Sequence, residues 1–406
     1  MSPGTLRHKG NFFALLDMDI KKLYKKYSLN TYTRLGPVFV KGKGSFLWDQ
    51  NHRSYLDLFP GWGVSILGHS HPRLAKVIAH QAKRLIHLPN NLFSVEQALL
   101  AKKIVDKSFP SKVFFANSGA EAVEGALKLS RLFGKGDRYE VITMENSFHG
   151  RTFGALSATG QKKYKQAFKP LVSGFKEARF NDFCDFKNKI TPKTAAVMLE
   201  LIQGEGGVNV ADKEYIQKLC AYCRAKNILL IIDEVQTGMA RTGKLFCYQN
   251  YGIKPDIMIL SKGLGAGVPI SAIVVNNRIA GLIKPGMHAS TFGGSPLICR
   301  VCREVFNIID KENIVSKTVK SGRDLNKRLQ ELKKKFSFIK QIRIKGLMSG
   351  LELDIESMPV FKKCLEKKLI VNSTHGNVIR IMPALNIEPR NLARGMDIFE
   401  KVLGEF

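Results

Sequence analysis

"NILLIIDEVQTG", residues 227–238, carries five aliphatic residues, Ile228 to Ile232, straight into Asp233 and Glu234 before a turn at Gly238. An unbroken apolar run that ends on polar residues and glycine reads as a strand buried on both faces of a parallel sheet. A carboxylate at the end of such a strand is costly unless something pairs with it. Two kinds of partner meet that need: a magnesium ion, as in nucleotide hydrolases, or a cationic cofactor.

Similar short runs lie at 113–116, 195–202, 256–260 and 270–275, with "EVIT" at 140–143 as a further strand. Glycine-marked turns and helical periodicities separate them, the pattern of an α/β fold with a mostly parallel sheet under crossover helices. Upstream, "VFVKGKGSFLWDQNHRSYLDLF" (38–59) reads as two or three short antiparallel strands. After about residue 295 the chain turns helical and Lys-rich, then gives strands near "IRIKGLMSGLEL" and "NVIRIMPAL". The expected organisation is an N-terminal segment, 1–60, contributing to a small domain; a large α/β domain, 61–295; and a C-terminal small α+β domain, 296–406.

Bulk properties exclude several classes. With 44% hydrophobic and 24% charged residues over 406 positions, the chain is globular rather than disordered or fibrous. No stretch reaches the roughly 18 apolar residues of a membrane span. The opening "MSPGTLRHKGNFFALLDMD" has too short an apolar run for a secretory signal. A cytoplasmic location is therefore expected, with removal of a short transit segment left open. The net charge of +30 invites a nucleic-acid reading. However, the lysines are dispersed and no RNA-binding or zinc-finger motif accompanies them, so solvated surface is expected and no nucleic-acid partner. Seven cysteines include two CxxC pairs, Cys220/Cys223 and Cys299/Cys302, in helical sequence without knuckle glycines. Reduced thiols and no metal are expected.

Three features bear on Asp233. "KVFFANSGAEAVEGALKLSR" (112–131) reads as strand, tight turn and helix, with Ala122, Ala126, Leu129 and Phe133 along one apolar face. Ser118, Gly119 and Ala120 fall where the first backbone amides lack partners, a position suited to an anion. A plain helix start capped by Ser118 is the alternative. "DIMILSKGLGAGVP" (256–269) is another strand, delivering Lys262 to the same sheet edge among glycines. A lysine, an acid and an anion-binding helix start at three strand ends match the needs of pyridoxal phosphate: an amine, a counter-charge for the pyridine nitrogen, and a phosphate cradle. The magnesium reading fails on order. "GMARTGKL" (238–245) approximates a phosphate loop, but Leu245 replaces the metal-binding hydroxyl and the match follows Asp233 instead of preceding it.

With these residues in place, the chain resembles the class III pyridoxal-phosphate aminotransferases, and within them the acetylornithine branch. The resemblance rests on "LWDQNHRSYLDLF", "LGHSHPRL", "NSGAEAVEGALKLSR", "NSFHGRTFGALSATG", "LELIQGEGG", "IIDEVQTGMARTG", "LSKGLGAGVP", "STFGG" and "NVIRIMPAL". It implies an aspartate-aminotransferase-like (fold type I) architecture, with a large, mostly parallel seven-stranded sheet domain binding pyridoxal 5'-phosphate and a smaller α+β domain. Lys262 is then the lysine that holds the cofactor and shuttles a proton at the substrate carbon. Asp233 faces the ring nitrogen, Gln236 the ring hydroxyl, and Val235 and Phe148 the two ring faces. Ser118, Gly119 and Ala120 cradle the phosphate. Ser290 and Thr291 serve the neighbouring subunit's cofactor, which implies a homodimer with active sites at the interface. Arg151 holds the distal carboxylate and Arg380 the one beside the reacting amine, while Glu205 covers Arg380 when no carboxylate is offered.

The implied reaction passes the δ-amine of N2-acetylornithine to 2-oxoglutarate, giving N-acetylglutamate 5-semialdehyde and glutamate, as in arginine biosynthesis. Ornithine, succinylornithine, 4-aminobutyrate and carrier-bound aminoadipate semialdehyde are alternative donors, and a non-catalytic binding role is the alternative of a different kind. Gly61, Trp62 and Gly63 depart from a Gly-Gly-Ile-like stretch of the acetylornithine branch. Ala120 and Val123 likewise stand where Thr and Asn are common, so the cradle relies more on backbone.

Overall fold

The computed structural model describes residues 19–406, so the signal-like opening considered above lies mostly outside the described residues. Its centre is a seven-stranded sheet whose spatial order is Ser111–Ala116, Ser271–Asn276, Ile257–Leu260, Leu229–Asp233, Thr194–Leu199, Glu140–Met144, Phe175–Ala178. The last five are mutually parallel. Ser271–Asn276 runs antiparallel to both of its neighbours. The expected mostly parallel seven-stranded α/β sheet is therefore what forms.

The opening stretch forms its strand, and both faces are buried as its aliphatic run requires. Leu229 and Ile231 pack with Ala122, Ala126 and Leu129 of the helix Gly119–Phe133. Leu230 and Ile232 face the larger core on the other side. Because side chains alternate along a strand, Asp233 continues the face of Leu229 and Ile231, toward that helix. Fully burying each leucine or isoleucine of the run contributes roughly 1.5–3 kcal/mol.

Two differences from the sequence reading have local causes. The run 195–202 does not make one strand: Thr194–Leu199 stops before Glu200, and Ile202–Gln203 pairs instead with Asn209–Val210. The edge strand Phe175–Ala178 was not anticipated, because "FKEA" has no continuous apolar run. Upstream, the expected antiparallel strands are Phe39–Lys43, Phe46–Asp49 and Ser54–Asp57. Both CxxC pairs lie on helices, Lys213–Ala225 and Pro296–Lys311, with their thiols buried in the core. Among the described residues no cluster of three or more His, Cys, Asp or Glu side chains is placed to hold a metal ion.

A second sheet, in the order Ile339–Lys345, Met348–Leu353, Val378–Ile381, Asn372–Thr374, is antiparallel throughout. Arg241, fully buried in the turn after the central strand, ties the two sheets together. One of its terminal nitrogens donates to the backbone carbonyls of Leu347 (3.0 Å) and Pro383 (2.6 Å). Burial pushes its pKa down to about 9. Arg241→Ala would leave both buried carbonyls without that donor and open a hole, at a cost of about 2–5 kcal/mol. Urea unfolding is expected to show this as a lowered midpoint, with Arg241→Met, which restores bulk but no donor, falling in between.

Candidate functional site

Six strands of the central sheet run in one direction, Ser111–Ala116 among them, so their C-terminal ends share one edge. That edge is where open α/β sheets place their ligands. A cavity of about 260 Å³ opens there, lined by Gly119, Ala120, Phe148, His149, Gly150, Arg151, Glu200, Glu205, Asp233, Val235, Gln236, Ser261 and Lys262. A wider funnel of about 1230 Å³ leads to it past Trp62, Tyr164 and Arg380.

Lys262 follows the strand Ile257–Leu260 and opens a short 3-10 turn with φ at +41°. A left-handed lysine costs of order 1–3 kcal/mol and is tolerated where the surrounding fold holds it. Ser261 contributes to that hold, its hydroxyl donating to the Ile270 carbonyl at 2.7 Å. Burial pushes the Lys262 amine toward its neutral form, although Glu205, Asp233 and Glu200 pull the other way. Depressed amine pKa is what a nucleophilic lysine needs at neutral pH.

The two acids of "IIDEV" diverge. Asp233, 4% exposed, accepts from the Val235 amide at 3.0 Å and pairs with Nδ1 of His149 at 2.8 Å. Burial opposes a charge on His149, and the Asp233 carboxylate overrides it, so the imidazole pKa rises. Glu234 turns away from the cavity and accepts from the amides of Cys247 (2.6 Å) and Tyr248 (2.7 Å). Its burial pushes the carboxyl up to about 7. Asp233 belongs to the cavity; Glu234 staples a turn.

Ser118 is the N-cap of the helix Gly119–Phe133 in a complete capping box with Glu121. Its amide donates to Glu121 at 2.7 Å and its hydroxyl accepts from the Glu121 amide. Both are thus engaged locally, which leaves the amides of Gly119 and Ala120, without a carbonyl one turn back, to meet an anion. A Cβ on Gly119 would come within 3.1 Å of both Val235 methyls, so the absence of a side chain keeps this wall open.

Phe148 and Val235 both line the cavity. Arg151 lies at its mouth, its guanidinium carbon 3.9 Å from the Tyr164 ring centre and 5.5 Å from that of Phe148. Gln236 donates to the Trp62 carbonyl at 3.2 Å, while its side-chain oxygen is buried without a partner. Arg380, on the strand Val378–Ile381, is fully buried. It donates to Asn372 (2.8 Å), the Gly204 carbonyl (3.0 Å) and Glu205 (2.8 Å), and lies over the Phe59 ring. Burial opposes ionisation of Glu205, yet Arg380 holds its pKa below the usual carboxylate range.

Ser290 and Thr291 do not line the cavity of their own chain. Thr291 is exposed, and the Ser290 hydroxyl accepts from the Gly293 amide at 3.0 Å. Two titratable cavity residues escaped the sequence reading. His149 sits inside the quoted "NSFHGRT", with nothing local to mark its role. Glu200 ends "AAVMLE" just as Asp233 ends "LLIID", so the signal used for one acid was available for the other.

These residues fit pyridoxal phosphate. A buried amine, a buried carboxylate, an unpartnered buried amide oxygen on Gln236 and free first-turn amides surround one cavity. Their chemistry matches the Schiff-base, ring-nitrogen, ring-hydroxyl and phosphate requirements in turn.

Comparisons with known proteins converge. The family described as aminotransferase class-III matches residues 28–403. The acetylornithine aminotransferase of Caldanaerobacter subterraneus subsp. tengcongensis is 46% identical over 386 residues, covering 94% of this chain and 98% of the relative. That of Methanocaldococcus jannaschii is 43% identical over 388 residues, covering 94% and 97%. Among solved structures, the ornithine aminotransferase of Toxoplasma gondii superposes with a TM-score of 0.93 at 31% identity, covering 97% of each chain. The acetylornithine aminotransferase of Elizabethkingia anophelis gives 0.85 at 32%, covering 95% of this chain and 98% of that one.

Proposed function

The chain belongs to the class-III aminotransferases, and from that membership we propose that it transfers the δ-amine of N2-acetylornithine to 2-oxoglutarate, using pyridoxal phosphate. The products are N-acetylglutamate 5-semialdehyde and glutamate, a step of arginine biosynthesis. The observation that carries this reading is the convergence of Lys262, the Asp233–His149 pair and the Arg380–Glu205 pair on one cavity. The acetylornithine aminotransferases at 43–46% identity support the donor.

The cofactor, when bound, supplies the electron sink that stabilises negative charge on the carbon bearing the amine. Lys262, pushed toward its neutral form by burial, would hold the cofactor and then move a proton at that carbon. Asp233 provides the counter-charge for the ring nitrogen, oriented by the His149 imidazole. Phe148 and Val235 confine the ring, Gln236 meets its hydroxyl, and Gly119 and Ala120 offer amides to the phosphate, with Ser118 shaping the turn as its cap. Ser290 and Thr291 are assigned to the partner subunit's phosphate in a homodimer, in keeping with the exposure of Thr291 away from its own cavity.

Substrate recognition divides between two arginines, since a guanidinium fork matches a carboxylate. Arg151, at the mouth, takes the distal carboxylate of either substrate. Arg380 takes the carboxylate beside the amine of glutamate. Acetylornithine presents an uncharged methylene there, so Glu205 stays on Arg380 in the first half-reaction and leaves it in the second. Residues 61–295 thereby hold the cofactor and 296–406 contribute Arg380. No helix among the described residues is long and apolar enough to cross a membrane, and a cytoplasmic setting is part of the same proposal.

Mixing the cofactor-loaded protein separately with acetylornithine, ornithine, succinylornithine and 4-aminobutyrate tests the donor. Acetylornithine is expected to change the cofactor absorbance at least about tenfold faster than the others, the scale that a pocket's contacts support. A faster response to any of the other three would overturn the donor assignment.

A further inference from the structure

Glu200 is given no contact with substrate or cofactor above, yet it is buried in the cavity wall. It directly follows the strand Thr194–Leu199, whose Leu199 is in register with Ile232, so Glu200 and Asp233 leave adjacent parallel strands side by side. One of its oxygens accepts from the Phe148 amide at 2.9 Å, and the other accepts from the Gly204 amide at 3.2 Å. Gly204 precedes Glu205, and the Gly204 carbonyl is one of the acceptors that hold Arg380. A single carboxylate therefore spans the wall carrying Phe148 and the turn carrying Glu205.

The two halves of the Arg380–Glu205 pair are anchored differently. Arg380 is fixed on its own sheet by Asn372, its register partner on the neighbouring strand, and rests over Phe59. Neither contact involves Glu200. The turn at 204–205 lacks a side chain at Gly204, where a Cβ would lie 1.8 Å from the Gln236 side-chain oxygen. Glu200 is a side-chain acceptor for that turn's amide. The charged or titratable groups facing Glu200 are His149, Asp233 and Lys262.

We propose that Glu200 is a positioning residue that holds Glu205 against Arg380, so that this arginine stays closed to carboxylates until the second half-reaction. Glu200 in this way sets how strongly the enzyme prefers an ω-amine over a dicarboxylate. The inference rests on the aminotransferase reading and adds to it a residue that acts through the turn rather than on the substrate.

Glu200→Gln keeps the shape but leaves only one acceptor oxygen, and its NH2 group meets the second backbone amide donor to donor. The turn then loosens and weakens both of its holds on Arg380, the Gly204 carbonyl and Glu205, while Asn372 and Phe59 still anchor the guanidinium. Calorimetric titration of the pyridoxal-phosphate-loaded protein with glutarate, an unreactive dicarboxylate, is expected to show binding about fivefold tighter than in the natural protein. Glutamate should gain on acetylornithine in the first half-reaction by a similar factor. Tightening is the informative sign, because simple damage to the pocket weakens binding. In a Glu205→Gln background, Glu200→Gln should have no further effect, since the two act on one contact. Unchanged or weaker glutarate binding in Glu200→Gln, or effects that multiply in the double variant, would overturn the proposal. If Glu200→Gln does not fold, Glu200→Asp, too short to reach both amides, carries the same cycle. Failure of the natural protein to react with any amino donor would instead overturn the aminotransferase reading, so the two failures are distinguishable.

Discussion

Lys262→Ala is expected to slow the first half-reaction by about ten-thousand-fold, the upper range for loss of a positioned proton-transfer group. In the proposed mechanism two functions go at once: the amine that attaches the cofactor and the amine that moves the proton. The yellow colour of lysine-attached cofactor should be absent from the purified variant. Rapid mixing with acetylornithine checks the rate, and the absorption spectrum checks the attachment. Lys262→Arg separates the roles, because a guanidinium restores positive charge but stays protonated. It should be as slow as the alanine variant. A lysine variant that keeps near-natural turnover would remove Lys262 from the mechanism.

Asp233→Asn is expected to reduce turnover about a thousand-fold, in the range seen when one preorganised electrostatic partner is lost from an active site. The amide is nearly the same shape but carries no charge, so the ring nitrogen would lose its proposed counter-charge while the cavity keeps its walls. His149 reports the same loss. Its pKa is raised against burial chiefly by the Asp233 carboxylate, with Glu200 adding to it, so in Asp233→Asn it should fall, and proton NMR of the imidazole would follow it. Glu234→Gln is the control, one residue along. It disturbs the turn that ends on Cys247 and Tyr248, so it should lower thermal stability with cofactor affinity unchanged.

The contrast between those neighbouring acids marks how far sequence carried the argument. The Leu229–Asp233 strand was legible because five aliphatic residues in a row fit one environment, a sheet buried on both faces. Lys262 and the first turn of the helix Gly119–Phe133 were legible for the same reason, each following an apolar run at a glycine-marked turn. The antiparallel direction of Ser271–Asn276 was not, since a buried strand reads the same in either direction. The edge strand Phe175–Ala178 exists through its pairing with Glu140–Met144 rather than through its own composition.

Long-range pairs were equally silent. Nothing near His149 indicates Asp233, which is 84 residues away in sequence. With Gly119 and Ala120, Ser118 reads from sequence as offering its backbone amide to an anion, with helix capping as the alternative. The structure engages it with Glu121 three residues on, a contact the sequence spacing of a capping box already encodes. Arg380 and Glu205 were named only through family resemblance. Their encounter depends on how the antiparallel sheet is laid against the parallel one, a property of the packed fold and not of either segment.

Arg241 gives that encounter a mechanical meaning. Its hydrogen bonds clamp the turn after the Asp233 strand to Leu347 and Pro383, the latter three residues beyond Arg380. Lys262 and Arg380 consequently sit on surfaces that cannot slide apart without breaking a buried guanidinium from its carbonyls. For the proposed reaction this sets the span between the two side chains, so substrates of different chain length would be told apart by which side chains swing aside within it.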